Sequence, residues 1–368
     1  MNGLTVSDSR ADHRCQLLVE LVNIPSVSHQ EHRLADWVDA RLRRCRRGEV
    51  VRAADEVAFR FPALTGKPKV ILCGHLDTVP PNDNQTARVE GDRVYGLGST
   101  DLKAGLAVFL DLVETLDPSA LQVDPVFLFY TREEVAYNQS GLLVVERELP
   151  DLLDDTRFAI CVEPTENAVE LGCLGNLHAE VTVHGKAAHS ARPWFGDNAI
   201  HTAAPLIERI AAVPERPVVF GDQVVYREVI GATTIAGGGA RNVIPDAVTV
   251  NLNFRFAPDR SGDEAVAWIG ELVGDAGTVE ITDLSPAGRV ASDNPLCQGL
   301  VDAAGGVVRA KQAWTDVGRF SAWGIDAVSC GPGIPAQAHQ KTEYATISAM
   351  TQSAALFERF LRDAGESV

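Results

Sequence analysis

Three short apolar runs, each followed by polar side chains, constrain the fold of this chain most. The runs occupy residues 69–73, 125–130 and 158–162, and a helix-like stretch with apolar residues at 3–4 spacing separates the first two at residues 101–116. Continuously apolar strands that alternate with helices are typical of a parallel sheet covered on both faces. We therefore predict an α/β domain with a mostly parallel sheet, helices on both faces, and ligands bound beyond the carboxyl ends of the strands.

A different pattern begins near residue 177. Alternating polar and apolar residues predict strands at residues 177–183, 233–236, 248–255 and 279–283, and helical periodicity covers residues 198–213 and 262–273. This β-α-β-β-α-β order is that of a ferredoxin-like α+β module. We predict such a module at residues 176–287, inserted into a catalytic domain that residues 1–175 and 288–368 form together.

Composition disfavours several classes of protein. The chain has 33 Lys and Arg against 50 Asp and Glu, a net charge of −17, which argues against a nucleic-acid partner. No apolar run reaches the ~18 residues that span a bilayer, and the N-terminus lacks a signal pattern, so we expect a cytoplasmic protein with no membrane partner. The seven cysteines are scattered without a C-x-x-C pair, which argues against a disulfide framework or a thiolate zinc site.

Acidic and imidazole side chains follow the three predicted strands. The chain places seven candidates at strand ends or in loops: His75, Asp77, Asp101, Glu133, Glu134, Glu163 and His339. Taken singly, each has an ordinary explanation, since a lone histidine is more often structural, a pair of glutamates is usually solvated, and an acid in a first helical turn is often a cap. Gathered at one sheet edge, five acids would repel one another unless cations were present. Imidazole and carboxylate ligands suit Zn²⁺, and also Mn²⁺ or Co²⁺.

The motifs around these residues resemble those of the dinuclear zinc amidohydrolases, which include aminoacylases, acetylornithine deacetylase, succinyl-diaminopimelate desuccinylase and glutamate carboxypeptidases. The resemblance is carried by Gly74-His75-Leu76-Asp77, Gly98-Ser99-Thr100-Asp101-Leu102-Lys103-Ala104-Gly105, Glu133-Glu134, Glu163-Pro164 and His339. It implies two Zn²⁺, Co²⁺ or Mn²⁺ ions per subunit, bridged by Asp101. His75 and Glu163 would hold one ion, and Glu134 and His339 the other.

The same resemblance implies roles for residues that do not bind metal. Glu133 would be the general base for the attacking water, and Asp77 would orient the His75 ring through its other nitrogen. The peptide bond between Asp101 and Leu102 would be cis. His189, in the inserted module, would reach the active site of a neighbouring subunit and stabilise the oxyanion, which implies a homodimer with sites completed in trans. A structural histidine at a strand end is the alternative for His189.

Within the family, several segments resemble succinyl-diaminopimelate desuccinylases, in particular the actinobacterial type. The segment 315–320 carries Thr315, Gly318 and Arg319, and residues 242–245 and 253–256 carry Asn242 and Arg255. These residues, with Arg192, would bind the carboxylates of a small anionic N-acyl amino acid, for which the planar guanidinium of arginine is suited. An exposed strand arginine and a turn asparagine are the alternatives for Arg255 and Asn242.

The resemblance implies hydrolysis of N-succinyl-L,L-2,6-diaminopimelate to succinate and L,L-diaminopimelate, a step in lysine biosynthesis. The alternatives on the same scaffold are another N-acyl-amino-acid deacylase, such as acetylornithine deacetylase, and a glutamate-type metallocarboxypeptidase. A catalytically dead metal-binding protein is the alternative from another class. The presence of Glu133, to which the resemblance gives a role as base and not as ligand, argues against that alternative.

Overall fold

The computed structural model describes residues 9–62, 64, 66–221 and 224–364. The first eight residues, which belong to the N-terminal stretch without a signal pattern, lie outside the described residues. The chain divides into two compact units, the first formed by Met1–Leu171, Ala291–Arg309 and Trp323–Val368, the second by Gly172–Val290 and Ala310–Ala322. Among the described residues, none of the helices combines the length and the apolar character that crossing a membrane requires.

The helices are α1 (Ser9–Val22), α2 (His32–Leu42), α3 (Ala104–Thr115), α4 (Leu142–Glu148), α5 (Pro150–Leu153), α6 (Ala199–Ala211), α7 (Gly262–Val273), α8 (Pro295–Ala303), α9 (Val317–Ala322) and α10 (Ile347–Asp363). The strands are β1 (Glu49–Ala53), β2 (Glu56–Arg60), β3 (Lys69–His75), β4 (Arg88–Glu90), β5 (Arg93–Tyr95), β6 (Asp124–Tyr130), β7 (Thr156–Cys161), β8 (Val169–Leu171), β9 (Gly175–His184), β10 (Ala188–His189), β11 (Arg216–Phe220), β12 (Val224–Gly237), β13 (Val243–Ile244), β14 (Ala247–Phe256), β15 (Thr278–Ser285), β16 (Val308–Ala310), β17 (Ala327–Ser329) and β18 (Tyr344–Thr346).

The main sheet of the first unit is parallel at its centre. Its strand order is β1-β2-β6-β3-β7-β17-β8-β16. The neighbours β6, β3, β7 and β17 run parallel, whereas β1-β2, β2-β6 and β17-β8 are antiparallel. Every side chain of β3 from Val70 onward is buried, and because successive side chains point to opposite faces, both faces of this strand are covered. The predicted mostly parallel sheet is confirmed for the central strands, and antiparallel strands flank them.

Two predicted helices differ from those observed. The helix expected over residues 101–116 begins only at Ala104, because Ser99–Lys103 forms an irregular turn in which Asp101 and Leu102 are not helical. The Asp101–Leu102 peptide bond is cis, as the family resemblance implied. The helical segment expected over residues 13–47 is interrupted between α1 and α2. Arg47 lies at the basic end of this predicted segment. Its guanidinium donates hydrogen bonds to the carbonyls of Val113 and Leu116 at the end of α3.

The second unit contains an antiparallel sheet and two helices. Its sheet order is β11-β12-β14-β9-β15, and the chain order of the four longer strands with α6 and α7 is β9-α6-β12-β14-α7-β15. Alternate residues of β9 and β14, among them Val181 and Leu252, pack in one core with Leu206 of α6 and Ile269 of α7. The observed element order is the split pattern expected from the sequence. Strand β11 was not predicted, and β12 is much longer than the expected 233–236.

The boundaries of the second unit differ from the predicted 176–287. The unit begins at Gly172 and extends to Val290, and it also includes residues 310–322, which the sequence analysis assigned to the catalytic domain. Hydrogen bonds within the unit explain this difference: Leu174 donates to the carbonyl of Lys311, and the Trp314 indole donates to the carbonyl of Pro286. Thr315, Gly318 and Arg319 therefore belong to the second unit.

Candidate metal centre

The ends of three parallel strands bring the predicted ligands to one edge of the sheet. His75 ends β3 and is in register with Tyr130, the last residue of β6, three residues before Glu133. Cys73 of β3 is in register with Cys161 of β7, two residues before Glu163. Because neighbouring parallel strands end at the same edge, the loops that follow them meet there. This explains how residues far apart in the chain form one cluster.

Asp101 lies between two imidazoles. Its Oδ1 is 3.4 Å from Nε2 of His75, and its Oδ2 is 3.5 Å from Nε2 of His339. Oδ1 is buried and has no hydrogen-bond partner in the described part of the chain. The Oε1 of Glu134 lies 2.9 Å from the same His339 nitrogen. Each oxygen of Asp101 thus faces a different histidine, which is the arrangement that a carboxylate bridging two ions needs.

Two groups of side chains offer ligand atoms within 4.8 Å of one another. One group consists of His75, Glu133 and Glu134, and the other of Asp101, Glu134 and His339. Glu163, a predicted ligand, is buried at the end of β7 but belongs to neither group. Glu133, the predicted general base, lies within ligand distance of His75. The structure therefore brings together five of the predicted side chains in these two groups, with Glu163 at the neighbouring strand end.

Asp77 supports the cluster differently from what the sequence analysis expected. Nδ1 of His75 lies 3.0 Å from the main-chain oxygen of Asp77 and 3.6 Å from its carboxylate. The carboxylate instead accepts hydrogen bonds from the backbone amides of Glu133 and Glu134, at 2.9 and 3.0 Å, and from Ser28 Oγ at 2.8 Å. The ring of His75 is therefore oriented by a carbonyl, and the Asp77 carboxylate holds the loop that carries Glu133 and Glu134.

The carboxylates control the charge of both histidines. Hydrogen bonds with Asp101 and Glu134 raise the pKa of His339 to about 10. Burial lowers the pKa of His75, but Asp101, Asp77 and Glu133 more than offset this and raise it well above its usual value. Burial would raise the pKa of Asp101, yet the two histidines lower it overall. Positive charge is thus strongly favoured in this cluster, as expected of a site for cations.

The donor set fits divalent metal ions. It consists of imidazole nitrogens and carboxylate oxygens, the ligands that suit Zn²⁺, Co²⁺ and Mn²⁺. It includes the buried Oδ1 of Asp101, to which none of the described residues donates a hydrogen bond. None of the seven cysteines forms a disulfide, and in the part of the chain that the structure describes none belongs to either group. The residues present therefore match the predicted two-ion site in chemistry.

Three predicted substrate-site residues lie together on an exposed part of the second unit. His189 ends the short strand β10, which pairs with β13. The amide of Ser190 donates to the carbonyl of Asn242 at 3.0 Å, and that of Arg192 donates to the carbonyl of His189 at 2.8 Å. The side chains of His189, Arg192 and Asn242 are all exposed. They are available to a ligand or to a second copy of the chain.

The other predicted substrate contacts are more enclosed. Arg255 of β14 is half-buried, and its Nε donates to Asn253 at 3.1 Å. Thr315, Gly318 and Arg319 are buried, and the Arg319 guanidinium is paired with Asp316 at 2.9 Å. This internal ion pair was not predicted from the sequence, and it pairs the charge of Arg319 with a carboxylate of the same unit. Contacts of Thr315, Gly318 and Arg319 with a substrate stay a prediction.

Several residues that contact the loops of the predicted ligands were not predicted from the sequence. Ser28 bonds Asp77, and the buried acids Glu31, Glu56 and Glu343 accept hydrogen bonds from backbone amides of these loops. Of these residues, only Glu343 could have been suspected from the sequence, because it lies four residues after the predicted ligand His339. The other acids are distant in sequence from any ligand motif, and their roles depend on tertiary contacts.

Comparisons with known proteins agree with this geometry. Residues 71–363 match the model of peptidase family M20/M25/M40. A protein of Mycobacterium tuberculosis, named provisionally as the succinyl-diaminopimelate desuccinylase DapE, is 42% identical over 349 residues, 94% of this chain and 97% of the relative. The succinyl-diaminopimelate desuccinylase of Corynebacterium glutamicum is 40% identical over 355 residues, 94% of this chain and 95% of the relative.

The fold is also found among solved structures. The M20 family metallo-carboxypeptidase Sso-CP2 of Sulfolobus solfataricus superposes with a TM-score of 0.77 at 18% sequence identity, covering 96% of this chain and 100% of the other. At that identity the likeness concerns the fold alone. With a family match that covers most of the chain and two relatives of more than 30% identity, the chain belongs to peptidase family M20/M25/M40.

Proposed function

We propose that this chain is a metal-dependent amidohydrolase that converts N-succinyl-L,L-2,6-diaminopimelate to succinate and L,L-diaminopimelate in lysine biosynthesis. The placement of Asp101 between His75 and His339, beside Glu133 and Glu134, is the observation that supports the reaction class. The names of the two bacterial relatives, which align with 94% of the chain, support the substrate.

The proposed site holds two divalent cations. Asp101 would contribute a ligand to both, His75 and Glu163 would complete one ligand set, and Glu134 and His339 would complete the other. The donor types suit Zn²⁺, with Co²⁺ or Mn²⁺ as substitutes. Bound cations of this kind lower the pKa of water and polarise an amide carbonyl. Every other part of the chemistry falls to side chains of the protein itself.

Glu133 acts as the general base in this proposal. Its carboxylate removes a proton from the attacking water and then delivers that proton to the nitrogen of the leaving amine. The hydrogen bond between its amide and Asp77 Oδ1, at 2.9 Å, restrains the backbone from which this carboxylate extends. Such restraint matters because proton transfer requires the carboxylate to stay within hydrogen-bond reach of both partners.

The second unit contributes substrate contacts in this proposal. His189 donates to the developing oxyanion, and Arg192, Asn242 and Arg255 bind the carboxylates of the anionic substrate, with further contacts from the segment that carries Thr315, Gly318 and Arg319. The exposure of His189, Arg192 and Asn242 supports their part in this role. The half-buried guanidinium of Arg255, fixed by Asn253, is also suited to a carboxylate.

A homodimer completes the site in trans in this proposal. Strand β11 pairs with only the first part of β12, residues Val224–Glu228, so that in the described part of the chain residues 229–237 form an open sheet edge. Ile235, on that edge, is an exposed large apolar residue. An open edge with exposed apolar side chains favours pairing with a second copy.

The expected cytoplasmic location remains part of the proposal, and cell fractionation of the source organism tests it.

A panel of substrates tests the proposed function. The purified chain is stripped of metal, reloaded with Zn²⁺, and assayed for succinate released from N-succinyl-L,L-2,6-diaminopimelate, acetate released from N-acetylornithine, and glutamate released from a peptide that ends in glutamate. We expect the highest kcat/KM for the succinylated diamine. Faster release of acetate or of glutamate would assign the chain to the alternative deacylase or carboxypeptidase, and would leave the proposed metal chemistry intact.

A further inference from the structure

The loop after β6, which carries Glu133 and Glu134, is held by buried carboxylates through its backbone. Four successive amides each donate to a carboxylate oxygen: Thr131 to Glu56 at 2.7 Å, Arg132 to Glu31 at 3.1 Å, Glu133 to Asp77 at 2.9 Å and Glu134 to Asp77 at 3.0 Å. The Thr131 hydroxyl also donates to Glu56, at 2.8 Å. Neither Glu31 nor Glu56 belongs to the two groups of ligand atoms.

A second loop is held in the same way. Both oxygens of Glu343 accept from the turn that contains Asp101: Oε2 from the amide of Gly98 at 3.0 Å, and Oε1 from the amides of Thr100 and Asp101 at 2.9 and 3.1 Å. Glu343 is buried and four residues beyond His339. The loops that supply Asp101, Glu133 and Glu134 are therefore fixed by carboxylates that face the backbone instead of the metal site.

These acids are costly to bury, which indicates a specific use. Glu31, Glu56 and Glu343 are at most 3% exposed. Burial raises the pKa of each of them, to about 7 for Glu56 and for Glu343. A glutamine at the same place would cost less free energy to bury than a carboxylate. However, only its carbonyl oxygen accepts hydrogen bonds, because its other terminal atom is a donor.

The loop after β6 also adopts a strained backbone that needs such support. Arg132 has a φ of +59°, in the left-handed region that residues other than glycine rarely adopt. A residue in this region costs roughly 1–3 kcal/mol and persists only where its surroundings hold it. The hydrogen bonds of Glu31 and Glu56 to residues 131 and 132 lie directly at this position.

We propose that Glu31, Glu56 and Glu343 are positioning residues of the two-ion site: Glu343 sets the place of the bridging Asp101, and Glu31 and Glu56 set the place of Glu133 and Glu134. This inference rests on the proposed function only in that it assumes a site for two ions, and it does not depend on the substrate.

Metal titration of substitution variants tests the proposal without any substrate. The full chain is stripped of metal, and Zn²⁺ binding is measured in competition with a chromophoric chelator for the wild type and for Glu343→Gln, Glu56→Gln and Glu31→Gln. We expect Glu343→Gln to weaken both binding steps by about 10–100-fold, because Asp101 serves both ions. Glu56→Gln and Glu31→Gln should weaken the step that involves Glu134 and leave the other less changed.

The d–d absorption of the Co²⁺-loaded protein gives a second measurement that folding stability alone does not move. We expect the band positions or intensities to change in Glu343→Gln and Glu56→Gln, because displaced loops alter the coordination geometry. With the best substrate of the panel, Glu56→Gln should lower kcat more than it changes KM, since the place of Glu133 affects proton transfer.

The chain offers a control and an independent variant. Asp111 of α3 is a fully buried acid paired with Arg14 at 2.9 Å and Arg10 at 3.1 Å, so Asp111→Asn removes a buried charge that touches neither loop. Gly141 has an ordinary φ of −61°, and a Cβ there would lie 2.5 Å from both oxygens of Glu56. Gly141→Ala therefore displaces this carboxylate without removing it, and should reproduce the effect of Glu56→Gln on metal binding.

The outcomes separate the proposals. If the wild type binds two ions and the Gln variants and Gly141→Ala bind them as tightly, or if Asp111→Asn weakens binding equally, the positioning role is wrong. If the wild type does not bind two ions, the proposed function itself fails. Should Glu56→Gln not fold, Gly141→Ala alone decides the role of Glu56, and thermal unfolding shows which variants are folded.

Discussion

Adjacent glutamates have different partners in the candidate metal centre. Glu134 lies 2.9 Å from His339 and shares a ligand group with Asp101, whereas Glu133 shares a group only with His75 and Glu134. The amides of both donate to Asp77, so the two carboxylates extend from one restrained stretch of backbone. Because their partners differ, conservative substitutions of the two residues should have different consequences.

Glu133→Gln should retain both ions and lose turnover. The variant keeps the shape of the side chain but removes the base, so we expect kcat to fall by roughly 10²–10⁴-fold or more, with two Zn²⁺ still present by elemental analysis. Glu134→Gln is the matched variant and should bind less metal. Full activity in Glu133→Gln would contradict the role of Glu133 as general base.

Glu56 should make the stability of the metal-free protein depend on pH. Burial raises its pKa to about 7 from an ordinary 4.5, so the folded state binds this proton more tightly than the unfolded state does. The corresponding stability is present below pH 4.5 and is lost as the pH rises through 7. Urea unfolding between pH 5 and 8 should therefore show a decline in the free energy of unfolding that is smaller in Glu56→Gln by up to about 3 kcal/mol, whereas Glu343, whose pKa burial also raises to about 7, contributes equally to both proteins. Parallel curves for the two proteins would contradict a raised pKa.

At the scale of elements, helix α3 packs closely against the end of β7. A Cβ at Gly105 would lie 2.5 and 2.6 Å from the side chain of Val162 and 3.0 Å from its carbonyl. Gly105 is four residues after Asp101, and Val162 immediately precedes Glu163. The absence of a side chain at Gly105 therefore sets the spacing between the elements that carry these two predicted ligands.

Gly105→Ala should disturb the metal site through this spacing. Overpacking of this kind costs about 1–3 kcal/mol, and the shift should also weaken Zn²⁺ binding measured by competition titration. Gly270→Ala is the control, since a Cβ there meets nothing within 4 Å inside α7. That substitution should raise stability by about 0.5–1 kcal/mol and leave metal affinity unchanged. Unaltered metal binding in Gly105→Ala would show that the spacing tolerates a methyl group.

At the scale of the whole molecule, the second unit carries exposed predicted site residues and an open sheet edge. His189 is exposed on β10, and the edge of β12 extends over residues 229–237 in the described part of the chain. The proposed dimer would use both features, because His189 would act on the site of the other copy. If the site is completed in this way, variants in different units should complement each other.

Mixing two inactive variants tests this arrangement. His189→Ala and Glu133→Gln, refolded or co-expressed together, should form mixed dimers in which one site has both Glu133 and His189, so that part of the wild-type activity returns. Each variant alone should stay inactive, and sedimentation should give the mass of a dimer. A monomer in sedimentation, or no recovery of activity in mixed samples that are shown to be dimeric, would contradict a site completed in trans.

The sequence by itself determined the central strands and the placement of most site candidates. Apolar runs buried on both faces identified β3, β6 and β7, and because parallel strands end at a common edge, His75, Glu133 and Glu163 could be assigned to one region. Helical periodicity also predicted α7 with its observed bounds. The structure shows that a capping box between Ser261 and Glu264 begins this helix, which is a local interaction between residues three apart in the sequence.

Only the tertiary structure decided the features that depend on contacts between distant residues. The turn at Asp101 replaced the predicted start of a helix, the segment with Arg319 joined the second unit, and the Asp77 carboxylate bonded the loop amides. Glu56 lies 75 positions from Thr131, and Glu343 lies 243 from Thr100. No local pattern of hydrophobicity or charge encodes which buried carboxylate meets which amide, because packing of the whole unit sets these contacts.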